Sequence, residues 1–255
     1  MHPPVKNQPG APPAQQWMPK PERLQGVPPG LEYLSMVDQI LAHQQMEILE
    51  MITGWETANR YVLKNSMGQQ CYYAFETTDM CTMQLCGPAR QFSLSIVDNT
   101  NREVIRIYRR SAYCCKYPCC ADCIDACADM VYVEAPPGHP IGEVKQRADC
   151  CTIKLDVRNA HGESQLYIDG PLTCCRCGDV DFPVMSTDRR HEIGTITKQW
   201  SGLVREAFTD ADMFAVTFPM DLDVRTKATL LGALFLIDFL AYENNQKRDS
   251  RRHHY

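Results

Sequence analysis

Nowhere in its 255 residues does this chain contain an uninterrupted run of about 20 apolar residues, the length a bilayer-spanning helix requires. Positive charge is not in excess either. Lys and Arg number 26 against 31 Asp and Glu, a formal net charge of −5 that argues against a general nucleic-acid binder. No nucleotide loop of the G-x-x-x-x-G-K-S/T type occurs, so ATP-driven work lacks its usual carrier. No Ser–His–Asp or paired-carboxylate constellation stands out, and the expectation is a protein without a bond-making site. There is no internal repeat and no alternation of strands with helices of the parallel βαβ kind. The opening MHPPVKNQPGAPPAQQW lacks the charged-then-apolar pattern of a secretory leader. That places the expected chain on the cytosolic side, where thiols stay reduced.

Cysteine, by contrast, is abundant: 14 residues, which in a reducing compartment call for lipid, metal or burial rather than a disulfide framework. Residues 1–29 are rich in Pro, Gln and Gly and read as a disordered or polyproline-like tail. Within it, Pro9-Gly10-Ala11-Pro12 fits a minimal ligand for an SH3-type groove, but such matches are common by chance and an inert linker is the favoured reading. A helical stripe of Leu31, Leu34, Val37, Leu41, Ile48 and Leu49 predicts a helix over 31–52, stopped at Gly54.

From Trp55 onward the texture changes to short alternating runs at 60–64, 71–76, 92–97, 104–108, 152–157, 165–168, 193–197 and 213–218. Turn signals separate them: Ser66-Met67-Gly68, Asp98 to Asn101, Asn159 to Gly162 and Asp169-Gly170-Pro171. Many short antiparallel strands at regular spacing read as a barrel or sandwich. One main domain is expected over 30–243, followed by a short basic tail at 244–255 that carries Lys247, Arg248, Arg251 and Arg252.

That domain closes with ATLLGALFLIDFLAYE, expected as a helix over 227–243. It is short for a bilayer and carries Asp238, whose carboxylate at membrane depth costs about 2.5–3.5 kcal/mol. It is apolar around its whole circumference, the pattern of a helix enclosed on every side. Burial inside a β-barrel is therefore favoured over membrane insertion, and Asp238 then needs a partner in the wall.

Before it lies DADMFAVTFPMDLD, residues 210–223. Hard cations need several oxygens converging at about 2.3–2.6 Å. Asp210, Asp212 and Asp221 stand at the first, third and twelfth positions of a loop of EF-hand length, but Phe214 and Ala215 break the pattern that follows. The competing reading makes Phe214, Val216 and Phe218 the inner face of a strand. Calcium held by so few carboxylates would bind loosely.

The densest thiol patch is Cys114, Cys115, Cys119 and Cys120, extended by Cys123 and Cys127. Thiolates beside Arg109, Arg110 and Lys116 suit S-acylation at an anionic membrane surface, where two or more acyl chains anchor stably. Zinc is the rival: Cys120 and Cys123 have ligand spacing, but Cys174, Cys175 and Cys177 do not supply a matching second pair. Cys71, Cys81 and Cys86 read as small buried hydrophobes.

Taken in order, VPPGLEYL near residue 30, GPAR at 87–90, CCKYPCC at 114–120, EAPPG at 134–138, CGDVDFPV at 177–184 and the long stretch 205–243 resemble the phospholipid scramblase family. The resemblance implies a tubby-like fold, a closed antiparallel barrel around a central hydrophobic C-terminal helix. It also implies calcium-activated, ATP-independent, bidirectional movement of phospholipids between leaflets at the cytoplasmic face of the plasma membrane. It assigns calcium to Asp210, Asp212, Phe214, Val216, Phe218 and Asp221, with Ala215 in place of a customary glycine. It assigns palmitoylation to Cys114, Cys115, Cys119 and Cys120. A nuclear-import segment of some relatives falls on 194–200, where Lys198 is the single base, and carries over poorly. Membrane phospholipids are the expected partners, with SH3-type domains and further copies of the chain as secondary ones. A plugged barrel offers no evident lipid path, so two other readings stand beside transport: a lipid-anchored signalling adaptor that binds lipid, and a zinc-stabilised interaction domain.

Overall fold

The computed structural model describes residues 16–45, 59–77, 91–109, 128–149, 152–172, 179–199 and 213–240. Among these, twelve strands form one sheet: β1 (Gln39–Gln44), β2 (Arg60–Lys64), β3 (Gln70–Glu76), β4 (Phe92–Val97), β5 (Glu103–Arg109) and β6 (Met130–Glu134). They continue with β7 (Pro140–Gln146), β8 (Thr152–Asn159), β9 (Ser164–Leu172), β10 (Val180–Ser186), β11 (Glu192–Gln199) and β12 (Met213–Thr217). Each strand pairs antiparallel with its successor, and β12 pairs with β1 to close the barrel. Closure removes the exposed edges that an open sheet would carry.

Strict up-and-down order gives the barrel two unlike rims. The connections after even-numbered strands are short hairpins, and three of them share one chemistry. Asn65 Oδ1 accepts from the N–H of Met67 and Gln69, Asp98 Oδ1 from Thr100 and Arg102, and Asn159 Oδ1 from His161 and Glu163. Three residues on, Gly68, Asn101 and Gly162 each take positive φ, as short hairpins with a left-handed final residue require. Asp98 is fully buried there; burial raises its carboxyl, but hydrogen bonds from Thr100 and Arg102 prevail and hold it below the usual carboxylate range. The connections after odd-numbered strands, longer except between β7 and β8, all leave from the opposite rim.

Helix α1 (Val224–Asp238) follows β12 and runs inside the wall. Asp223 caps it, its Oδ2 accepting from the N–H of Arg225 at 3.0 Å and Thr226 at 3.1 Å. Every residue from Lys227 to Asp238 is buried, which answers the all-round apolar pattern of the sequence. The wall meets it closely at β6, β7 and β8. A Cβ on Gly232 would stand 2.8 Å from Val133 Cγ2, and one on Gly142 of β7 would collide with Thr229. Leu155, Ile168, Val184, Ile196, Phe214 and Val216 complete the interior from the wall side, all fully buried.

Three expectations need correction. The segment 31–52 is not one helix: a 3-10 turn (Glu32–Met36) leads into β1, which fills the gap between β12 and β2. Ile40 and Ala42 alternate inward with period two, and barrel closure overrides helical propensity; 46–52 lies outside the described residues. Asp169-Gly170-Pro171 is not a turn but part of β9, where a Cβ on Gly170 would stand 2.9 Å from the Phe182 ring. Strands β7 and β10 escaped notice because Gly142 and Pro183 interrupt their alternation, whereas β6 (MVYVE) alternates regularly and was overlooked. Residues 16–29, placed by composition in the tail, lie along the barrel. Met18 is buried with its N–H on Gln70 O, and Lys20 reaches Asp98 at 3.5 Å. The PxxP motif and the basic tail lie outside the described residues.

Replacing Gly232 with Leu is expected to destabilise the fold by about 1–3 kcal/mol through overpacking against Val133. Urea unfolding followed by circular dichroism measures it. An unchanged midpoint would show that the helix does not sit against β6 in solution.

Candidate functional site

The acidic segment 210–221 is not a closed loop. Its middle is β12, held in two ladders at once, to β1 on one side and β11 on the other. Phe214 and Val216 point into the core, and Phe218, fixed by its N–H to Asp38 O at 2.9 Å, is buried beside them. About 13 Å of extended backbone separates Met213 from Thr217. The strand-face reading of Phe214, Val216 and Phe218 therefore describes this structure. Asp210 and Asp212 lie outside the described residues. Asp221 lies exposed in the turn between β12 and α1, at the hairpin rim.

Beside Asp221 the structure holds a cation that the sequence reading gave no role. Lys227 is fully buried, and its Nζ donates to Leu34 O at 3.0 Å, Val37 O at 3.0 Å and Met220 O at 2.8 Å. Three acceptors at that range match the three donors of an ammonium group. The same nitrogen stands 4.9 Å from the centre of the Phe218 ring. Burial lowers the lysine's affinity for its proton, while the charges of Asp38 and Asp221 act to raise it. One side chain thus ties the helix start, the turn after β12 and the 3-10 turn together. A lysine at the head of an apolar run was the available sign, but its acceptors are carbonyls distant in sequence.

At the other end of α1, Asp238 finds the partner its burial demands: Tyr61 donates its hydroxyl to Oδ2 at 2.6 Å. Around it Glu76 accepts from Asn59 at 3.1 Å, and Arg109 pairs with Asp129 while lying 4.5 Å over the Phe239 ring. The cavity between Asn59, Tyr61, Glu76, Phe235, Asp238 and Phe239 has room for about one water molecule. Among the described residues the barrel interior is a packed core, filled by the helix and the inward side chains of the wall. Among the described residues, no helix is long and apolar enough to cross a membrane. The outer wall carries charge at mid-strand, including Arg106 on Glu103 at 2.7 Å and Arg158 with Glu143 at 3.5 Å. A lipid-embedded barrel instead presents an apolar band about 25 Å tall.

Cys114, Cys115, Cys119 and Cys120 lie outside the described residues, as do Cys123, Cys127, Cys174, Cys175 and Cys177. Their connections leave from Arg109 and Leu172 and return at Met130 and Val180, strand ends that share the rim opposite the hairpins. Cys71 is the small buried hydrophobe expected, its Sγ 3.7 Å from Met18 Sδ and burial pushing its thiol up to about 12. Lys198, the base of the nuclear-import candidate, is buried on β11 with its Nζ 5.3 Å from the Phe214 ring centre.

A twelve-strand meander threaded by its own C-terminal helix defines the class. The scramblase family model matches residues 18–244. The chain is 49% identical to phospholipid scramblase 1 of Homo sapiens, over 92% of this chain and 72% of that protein. It is 48% identical to phospholipid scramblase 2 of Bos taurus, over 95% of this chain and 81% of that one. Phospholipid scramblase 1 of Mus musculus is 47% identical over 97% and 74% respectively. No solved structure matches. The chain belongs to the scramblase family.

Lys227→Met strands three carbonyls and is expected to lower stability by about 3 kcal/mol. The pH dependence has a defined sign. Burial sets the folded lysine below its ordinary value of 10.5, so in the window beneath 10.5 the unfolded chain binds more protons, and stability contributed by this site rises with pH. Urea midpoints of wild type and variant should therefore diverge as pH rises towards 10.5. Parallel curves would refute a lowered proton affinity at Lys227.

Proposed function

We propose that this chain moves phospholipids between membrane leaflets in both directions, without ATP and under calcium control, as a lipid translocator rather than a bond-making enzyme. The observation that carries the reading is the match of nearly the whole chain to proteins named phospholipid scramblases. With the interior filled and the wall charged, the lipid path in this reading runs outside the barrel, through a bilayer perturbed by an anchored protein. Anchoring is assigned to S-acylation of Cys114, Cys115, Cys119 and Cys120 at the cytoplasmic face of the plasma membrane. The convergence of the flanking strand ends on one rim supports it, because acyl chains attached there would hold that end towards the lipid.

Calcium is assigned to the acidic ends of β12, Asp210 and Asp212 before it and Asp221 after it. The backbone oxygens of Phe214 and Val216 belong to a strand already paired on both sides. At Asp221 the ion would compete with the resident Lys227 charge, so binding there would be weak and would loosen the helix start.

The packed interior also favours a second reading, a lipid-anchored adaptor without intrinsic transport, in which the proline-rich tail engages SH3-type domains. Reconstitution separates the two. Pure protein in liposomes carrying fluorescent lipid is followed by dithionite quenching, without ATP, with and without calcium. Transport predicts a calcium-dependent loss of the protected inner-leaflet signal that Asp210→Ala/Asp221→Ala abolishes. A protected signal that persists in vesicles holding folded protein would sink transport in favour of the adaptor.

A further inference from the structure

On the outer face of β7 and β8, three enclosed polar atoms have no hydrogen-bond partner: Arg147 Nη1, Thr152 Oγ1 and Asp156 Oδ1. Enclosed groups of this kind are rare in folded proteins because each has lost its water without replacement. Two of them flank one tyrosine. Asp156 is the direct cross-strand neighbour of Tyr167, so the two side chains share the outer face, while Leu155, Val157, Leu166 and Ile168 point inward and are buried. Over the Tyr167 ring lie two guanidiniums, Arg147 with Cζ 5.2 Å from the centroid and Arg189 at 4.3 Å. Arg147 comes from the end of β7. Arg189 comes from the β10–β11 hairpin, where a positive φ of 58° turns it back over the sheet.

Lys154 on the same face is paired with Asp149 at 2.7 Å. The second oxygen of Asp156 accepts from Arg158 at 2.7 Å and Ser164 at 3.0 Å, which leaves Oδ1 as its unsatisfied oxygen. The face thus sets two guanidiniums, one with an unsatisfied Nη1, beside a carboxylate acceptor. A bare phosphate would satisfy only the arginines. A phosphodiester that carries a free ammonium group satisfies both, and a quaternary choline, having no N–H, does not.

We propose that Arg147, Arg189, Tyr167 and Asp156 form a docking site on the outer wall for an aminophospholipid headgroup, phosphate on the arginines and ammonium on Asp156. The proposal deepens the lipid reading above and rests on it, placing the lipid-recognising surface outside the filled barrel.

Binding is measured on the full chain in solution, with dihexanoyl phosphatidylserine below its micelle concentration, dihexanoyl phosphatidylcholine and inorganic phosphate as separate probes. Arginine side-chain NMR resonances report the contact, and thermal melts check each variant's fold. The serine lipid is expected to bind saturably, shift two arginine side-chain signals and bind more tightly than either other probe. Arg147→Gln and Arg189→Gln should each weaken it by about tenfold or more, as loss of a charge-assisted hydrogen bond does. Asp156→Asn should weaken the serine lipid while leaving inorganic phosphate unchanged, and Arg225→Gln, at the exposed start of α1, should change neither. Phosphate binding as tightly as the serine lipid would reassign the site to free phosphate and overturn the headgroup. Equal binding of the choline lipid, or binding indifferent to the arginine variants in folded protein, would also overturn it. The measurement involves no bilayer, so binding retained without scrambling refutes transport alone, and scrambling without binding refutes this site alone.

Discussion

A helix with no polar face is stable in water only if something surrounds it, and the enclosure of α1 is the constraint around which the rest of this structure is arranged. Twelve strands supply the enclosure, and closure of β12 on β1 completes it. The two ionisable residues the helix carries inside are handled at its two ends. Lys227 meets three carbonyls and an aromatic ring; Asp238 meets a tyrosine hydroxyl. Both solutions join residues far apart in the chain, so the helix is a fastener for the barrel as well as its core.

How legible this was depended on where the controlling interaction lies. Hairpins whose turns are set by their own residues, such as Asn65 to Gln69 and Asn159 to Glu163, could be read directly, and so could the strands beside them. The enclosed helix was readable because its lack of a polar face admits few environments. β1 was misread because its extended conformation is imposed by neighbours at residues 61–64 and 213–217, not by its own helix-compatible composition. The acidic segment resembled an ion-binding loop by spacing, yet spacing counts residues and does not reveal that five of them are extended and doubly paired. Tyr167 and the two arginines over it were invisible because strand register and a distant hairpin bring them together, and the carbonyls around Lys227 come from segments remote in sequence.

Up-and-down order also divides the molecule into ends with different chemistry. One rim gathers compact hairpins, the N-terminal segment and the lysine that fixes the helix start. The other receives the strand ends from which the cysteine-bearing connections depart. Arg189, from the β10–β11 hairpin, and Tyr167, in the first half of β9, lie towards the hairpin end of the axis that joins these two rims.

The seam between β1 and β12 has a consequence for how the molecule comes into being. Every other strand pairing joins neighbours in sequence and can form as the chain leaves the ribosome, whereas Gln39 must wait for Thr217. Until then the nascent sheet has two open edges and an apolar inner face with no helix to cover it. The filler follows β12 in the chain, so the inner face stays uncovered until the helix is made. Slow, non-local closure of this kind leaves the newly made chain exposed to association with its neighbours.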